Sequence, residues 1–186
     1  MILSLFGKEI NRTENIFRLC VIFSIWVIEV KKQWKTYAFG VLLAEGVGAL
    51  SGFLSREGTQ RYLKTVIKPP LSPPGTVFPI VWTILFALMG IGAARIYRMP
   101  PSEARSRALQ VFLIQLGVNF FWSILFFNWA SYAFALVWLL GLWGLILWMI
   151  RLFYLLDRPA ALLQIPYLLW VSFAAYLNYG VWLLNR

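Results

Sequence analysis

From Tyr132 to Ile150 the chain offers no polar side chain except the Tyr132 hydroxyl and the indoles of Trp138, Trp143 and Trp148. Its length is close to the roughly 20 residues a membrane-crossing helix needs. In hydrocarbon every backbone N–H and C=O must find a partner within the segment, so such a run has to be helical. Four further apolar runs lie at about Tyr37–Leu54, Val77–Ile96, Ala108–Trp129 and Pro159–Leu184. The pattern predicts an all-α membrane protein, a five-transmembrane-helix bundle. The membrane domain is expected over 35–186.

Composition excludes the soluble alternatives. Hydrophobic residues make up 61% and charged residues 13%, against about 25% charged in soluble domains. A soluble globule of this size could not hide so much apolar surface. The net charge of +10 does not point to nucleic acid, because Lys and Arg fall between the apolar runs. There they act as topology determinants and contacts to membrane lipid. Lys31, Lys32, Lys35, Arg98, Arg105, Arg107, Arg151 and Arg158 fall on one side of a five-span chain. Arg56, Arg61, Lys64, Lys68 and Arg186 fall on the other. The positive-inside rule therefore predicts a cytoplasmic N-terminus and an external C-terminus and first loop.

Residues 1–34 form an N-terminal extension. Its apolar stretch, Leu19–Ile28, is too short to cross a bilayer and is flanked by Arg18 and Glu29. It reads as an interfacial helix or as a segment the membrane domain does not need.

Within the first span Gly40, Ala44, Gly48 and Gly52 recur every four residues, a seam on which another helix can approach closely. Glu45 lies near the middle of that span. A carboxyl at such depth faces protein or a cavity, and it is expected to be structural and mostly neutral. Residues 55–76 read as a long loop ending in the proline-rich KPPLSPPGTVFPIVW, Lys68–Trp82. Pro69, Pro70, Pro73 and Pro74 remove four backbone donors and hold that loop extended. Pro79 suits a first helical turn, and Trp82 then lies about one turn inside the helix. The expected result is a stiff lid joined to an aromatic wall.

In the third span Gln115, Asn119 and Trp122 share one helix face that points into the bundle. The tight turn at 128–131 predicts that the third and fourth spans are antiparallel neighbours. In the fifth span Pro166 is expected to kink the helix or loosen its bonding. Beyond it Trp170, Ala174 and Asn178 follow at a spacing of four, joining a large aromatic, a small residue and an amide on one wall. There is one cysteine and no histidine, so no internal disulfide, His-based acid–base chemistry or His-ligated haem is available, and no metal site is expected.

KPPLSPPGTVFPIVWT, Met89–Gly90, NFFWSILFF over Asn119–Phe127 and PYLLWVSFAAYLN over Pro166–Asn178 resemble, in order and spacing, the TspO/translocator protein family. The resemblance covers about Lys35 to the C-terminus. It implies a five-helix membrane bundle that forms a homodimer and binds porphyrins or haem, or another apolar planar small molecule, in an aromatic pocket under the first loop. It also implies that Trp82 and Trp170 line the pocket, with Asn119, Trp122 and Ala174 at matching motif positions. Arg61-Tyr62 stands, at slightly shifted spacing, where the family often has Trp-Tyr, a departure from its pattern; Tyr62 is the loop residue counted among the ligand residues. No basic residue follows Tyr179 until Arg186, beyond the one-to-five-residue spacing of the proposed cholesterol motif, and cholesterol binding is not expected.

Two function classes follow. One is a tetrapyrrole sensor, carrier or sequestering protein with Tyr62, Trp82, Asn119, Trp122, Trp170, Ala174 and Asn178 as its ligand residues and Arg61, Lys64 or Lys68 for propionates. It has no resident cofactor. The other is a light- and oxygen-dependent porphyrin-degrading enzyme in which Trp82 and Trp170 are redox partners. A membrane scaffold with a vestigial pocket is the third alternative.

Overall fold

The structure, a computed structural model, describes residues 33–186. The reading of Leu19–Ile28 lies outside the described residues. A compact unit covers Tyr37–Arg186, and its regular structure is all helical. Helix α1 is Gln33–Leu54 and α2 is Arg56–Thr65. Helix α3 is Val77–Tyr97; α4, Glu103–Ser123, runs on into one π turn, Ile124–Asn128. Helices α5 (Tyr132–Leu156), α6 (Arg158–Leu162) and α7 (Ile165–Leu184) complete the bundle. Five segments are long and apolar enough to cross a membrane: α1, α3, α4 with its π turn, α5, and α6 with α7. The chain is an integral membrane protein.

Close packing begins at glycines. A Cβ on Gly40 would lie 2.5 Å from the Gly90 carbonyl oxygen, and one on Gly90 the same distance from that of Gly40. Helices α1 and α3 therefore cross backbone on backbone, as small residues allow where no solvent drives association. One seam position further on but one, a Cβ on Gly48 would collide with the Phe86 ring, whereas Gly52 meets nothing within 4 Å. The seam serves packing within the chain over Gly40–Gly48 and stops there.

Two expected elements differ. The first loop contains α2, which has Glu57 in its first turn, Lys64 in its last, and Gly58 and Tyr62 buried on one side. The fifth span is not one kinked helix. Pro166 lacks the N–H that would continue the ladder from α6, so the chain turns at 163–164 and restarts with Pro166 in the first turn of α7. Gln164 fills the break, fully buried, donating through Nε2 to the carbonyls of Ala160 (3.2 Å) and Leu88 (3.5 Å). Gly92 opposes it, and a Cβ there would strike the amide.

Helices α4 and α5 pack antiparallel, as expected. The turn between them uses Ala130 at φ 49°, and the Trp138 indole donates to the Val118 carbonyl at 2.8 Å. At the far end of α5 the Asp157 carboxylate caps α6 through Ala160 N–H (3.2 Å). It also pairs in fork fashion with Arg95 of α3, at 2.6 Å from Nε and 3.1 Å from Nη2. The guanidinium holds the Asp157 carboxyl below the usual range.

Candidate functional site

A cavity of about 530 Å³ lies between α1, α3, α4 and α7 beneath α2. Its aromatic wall is built in steps. Gly48 leaves space for the Phe86 ring, Phe86 stacks on Trp82 (centroids 5.4 Å, 30°), and Trp82 meets Tyr167 edge-on at 6.2 Å. Opposite, Trp122 stacks on Phe126 (5.2 Å, 24°). Phe126 reaches the cavity because the π turn inserts an extra residue into the end of α4, moving the following side chains around the axis. Tyr62 of α2 closes over Phe126 and Phe127, with ring centroids at 5.4 Å and 5.3 Å. Burial, with the nearby Tyr132 phenol adding to it, pushes the Tyr62 hydroxyl up to about 12, so it stays protonated.

The cavity's roof is fastened at both ends. Helix α2 docks on the π turn at Gly58, where a Cβ would run into the Phe127 carbonyl oxygen; Asn128 Nδ2 donates to the Leu54 carbonyl at 2.9 Å. The prolines dock on α7. Pro69 sits against Gly180, where a Cβ would come within 2.5 Å of its ring. Tyr176 donates its hydroxyl to the Pro70 carbonyl (3.1 Å). Asn185 accepts from Ile67 N–H (3.1 Å) and donates to the Ile67 carbonyl (2.9 Å).

The amides have determinate orientations. Tyr167 donates its one hydroxyl proton to Gln115 Oε1 (2.9 Å), so it accepts from Asn119 Nδ2 (2.8 Å). Asn119 Oδ1 has no partner among the described residues. Asn178 Nδ2 donates to the Tyr132 carbonyl (2.8 Å), leaving Oδ1 to accept the Trp122 indole N–H at 3.4 Å. Asn119 and Asn178 thus tie helices together as well as lining the cavity.

Of the residues singled out from sequence, Tyr62, Trp82, Asn119, Trp122, Ala174 and Asn178 all line this one cavity. Trp170 does not. It stands behind Phe78, which does line the cavity, with ring centroids 5.9 Å apart and its indole N–H buried without a partner. The loop cations expected to meet propionates are elsewhere. Arg61 and Lys64 are off the lining, and Lys68 donates to the Leu63 carbonyl (3.0 Å) while resting over the Tyr62 ring. The cation on the lining is Arg56, 4.2 Å over the Phe53 ring. Glu45, expected to be a structural carboxyl, lines the cavity and has no hydrogen-bond or ion-pair partner among the described residues. Its position in the first span beside Gly48 and Gly52 was the available clue.

Comparison with known proteins agrees with this architecture. The sequence profile of the TspO/MBR family matches residues 40–183. The tryptophan-rich protein TspO of Chlorobaculum tepidum is 36% identical over 157 residues, covering 84% of this chain and 99% of that protein. The translocator protein of Bos taurus is 32% identical over 144 residues, covering 74% and 85%. Protein CrtK of Rhodobacter capsulatus is 34% identical over 119 residues, covering 63% and 74%.

Proposed function

The chain belongs to the TspO/MBR family, and from that premise we propose that it binds a tetrapyrrole, porphyrin or haem, in the cavity under α2 as a sensor, carrier or sequestering protein. The observation that carries the reading is the cavity itself. Its volume, about 530 Å³, falls within the range of small-molecule sites. Its walls are two aromatic stacks, Trp82 on Phe86 and Trp122 on Phe126, which suit a flat apolar ligand. Each such contact contributes of order 1 kcal/mol beyond area burial. With no histidine in the chain, the ligand is held by stacking and not by axial ligation from imidazole. Arg56 stands where an acidic substituent at the mouth would meet it. The names of two relatives, the translocator protein of Bos taurus and the tryptophan-rich sensory protein of Cereibacter sphaeroides, fit a carrier or sensor.

The test is titration of purified protein with protoporphyrin IX, in the dark and in light. Saturable quenching of indole fluorescence without a new absorbing product is expected, and it should weaken in Trp82→Ala. A product formed in light and lost in Trp82→Phe or Trp170→Phe would favour the degrading enzyme. No quenching at all would leave the scaffold reading.

A further inference from the structure

We propose that Glu45 makes the deep end of the cavity a subsite for a positively charged nitrogen on a planar aromatic ligand. The inference rests on the cavity being a ligand site, and it does not require the ligand to be a tetrapyrrole. Glu45 lies near the middle of a membrane-crossing helix. A carboxyl there is costly and is kept where it meets a partner or a cavity. The structure gives it the cavity and no partner: among the described residues nothing donates to it, and it is the one carboxyl on the lining. Both cavity-lining asparagines are engaged between helices through their amide nitrogens. The lining hydroxyls, Thr83 and Ser123 among them, carry no charge, so a cationic group on a ligand at this depth would answer to the Glu45 carboxylate, with Asn119 Oδ1 as a further acceptor.

The neighbours leave room for such a group. On the same helix Ala49 and Gly52 also line the cavity and carry no side chain larger than a methyl, while the space at Gly48 is taken by the Phe86 ring. Rings of Trp82, Phe86, Trp122 and Phe126 line the same cavity, and aromatic faces attract a cation. Arg56, the one cation on the lining, is eleven residues along the chain, about 16 Å away at the helical rise. It lies at the mouth, over Phe53 and 3.8 Å from Glu57. The cavity is thus negative at depth and positive at its entrance, and a ligand enters with its basic nitrogen leading.

Two probes of similar ring shape separate charge from stacking: 9-aminoacridine, a cation at neutral pH, and anthracene. Each is titrated into the purified protein in detergent by indole quenching, with protein-free micelles as blank. The parent should favour 9-aminoacridine by about tenfold or more, the scale of a hydrogen bond between charged partners. Glu45→Gln, of the same shape, should abolish that preference and leave anthracene binding within about twofold. Ala49→Leu, which fills space beside the carboxyl without altering it, should also reduce the preference, and so tests the site if the Gln variant folds poorly. A parent without preference, or a preference that survives Glu45→Gln, overturns the proposal. Protoporphyrin IX titrated in parallel keeps the readings apart. Its failure with the amine preference intact removes only the tetrapyrrole reading, and its binding without that preference removes only this one.

Discussion

Ala174 presents the smallest side chain that α7 brings to the cavity; its other lining residues are Leu177 and Asn178. Replacing it with Leu puts three carbons into space a ligand would use, with little else to displace. Ala174→Leu should weaken protoporphyrin IX binding about tenfold, or roughly 1.4 kcal/mol, while thermal unfolding in detergent stays close to the parent's. Unchanged quenching would remove Ala174 from the site. Asp157 tests an electrostatic contact far from the cavity. Its folded-state pKa is depressed, first by the hydrogen bond from Arg95. The pair's contribution to stability is therefore complete above the ordinary aspartate value of about 3.9 and is lost as pH falls through the lower folded value. Asp157→Asn should lower Tm at neutral pH, and the gap to the parent should close in strong acid; a gap that does not narrow would refute the linkage. At this scale the sequence was informative about direction and silent about depth. Spacing of four puts Trp170, Ala174 and Asn178 on one side of α7, but a helix face extends through the whole membrane, and Phe78 occupies the level of Trp170. Glu45 was legible as an unusual carboxyl, yet whether it has a partner depends on helices distant in sequence.

Helix pairing turns on single glycines. Gly48→Leu would drive a branched side chain into Phe86, which is buried and stacked on Trp82. The α1–α3 contact and the aromatic wall are strained together, so Tm and ligand quenching should fall in the same variant. A protein with parental Tm would show that Phe86 can move away freely. Gly180→Ala acts on the roof. The added methyl would meet Pro69 and lift the proline segment from α7 without entering the core. Faster association and dissociation of protoporphyrin IX are expected in stopped-flow quenching, with Tm nearly unchanged; parental rates would mean the loop does not limit access. The long apolar elements were legible because hydropathy over 20 residues leaves few alternatives. Helix α2 was not, since its polar sequence and the prolines after it suggested a loop. Only the spacing of Gly58 and Tyr62, with Glu57 and Lys64 at the two ends, marked it. Pro166 was recognised as a disruption, but whether a proline bends a helix or ends one depends on what fills the break, and here Gln164 does.

Across the whole molecule the ends of the bundle differ in kind. The cavity end gathers α2, the proline segment, the π turn and the end of α7, cross-linked by Asn128 and Asn185. The opposite end gathers the junctions around Arg98, Arg105, Arg151 and Arg158, with Arg98 donating to Tyr37 at 3.0 Å and Arg105 to the Met99 carbonyl at 2.8 Å. Most of those cations are pinned by neither a carboxylate nor a cavity, as expected of charges that set orientation by resisting translocation. The cavity end has its own basic residues, but Arg56 is committed to Phe53 and Glu57, and Lys68 to Leu63 and Tyr62. The positive-inside rule sets the orientation to be tested: the α3–α4 junction in the cytoplasm and the cavity opening on the opposite side of the membrane. With Cys20 replaced by Ser, single cysteines at Ser72 and Ser106 should separate the alternatives. Ser72 lies in the proline segment and Ser106 near the start of α4. An impermeant maleimide added to intact cells should label Ser72→Cys, while Ser106→Cys should react only after the membrane is opened. The reverse pattern would invert the protein and deliver its ligand from the cytoplasmic side.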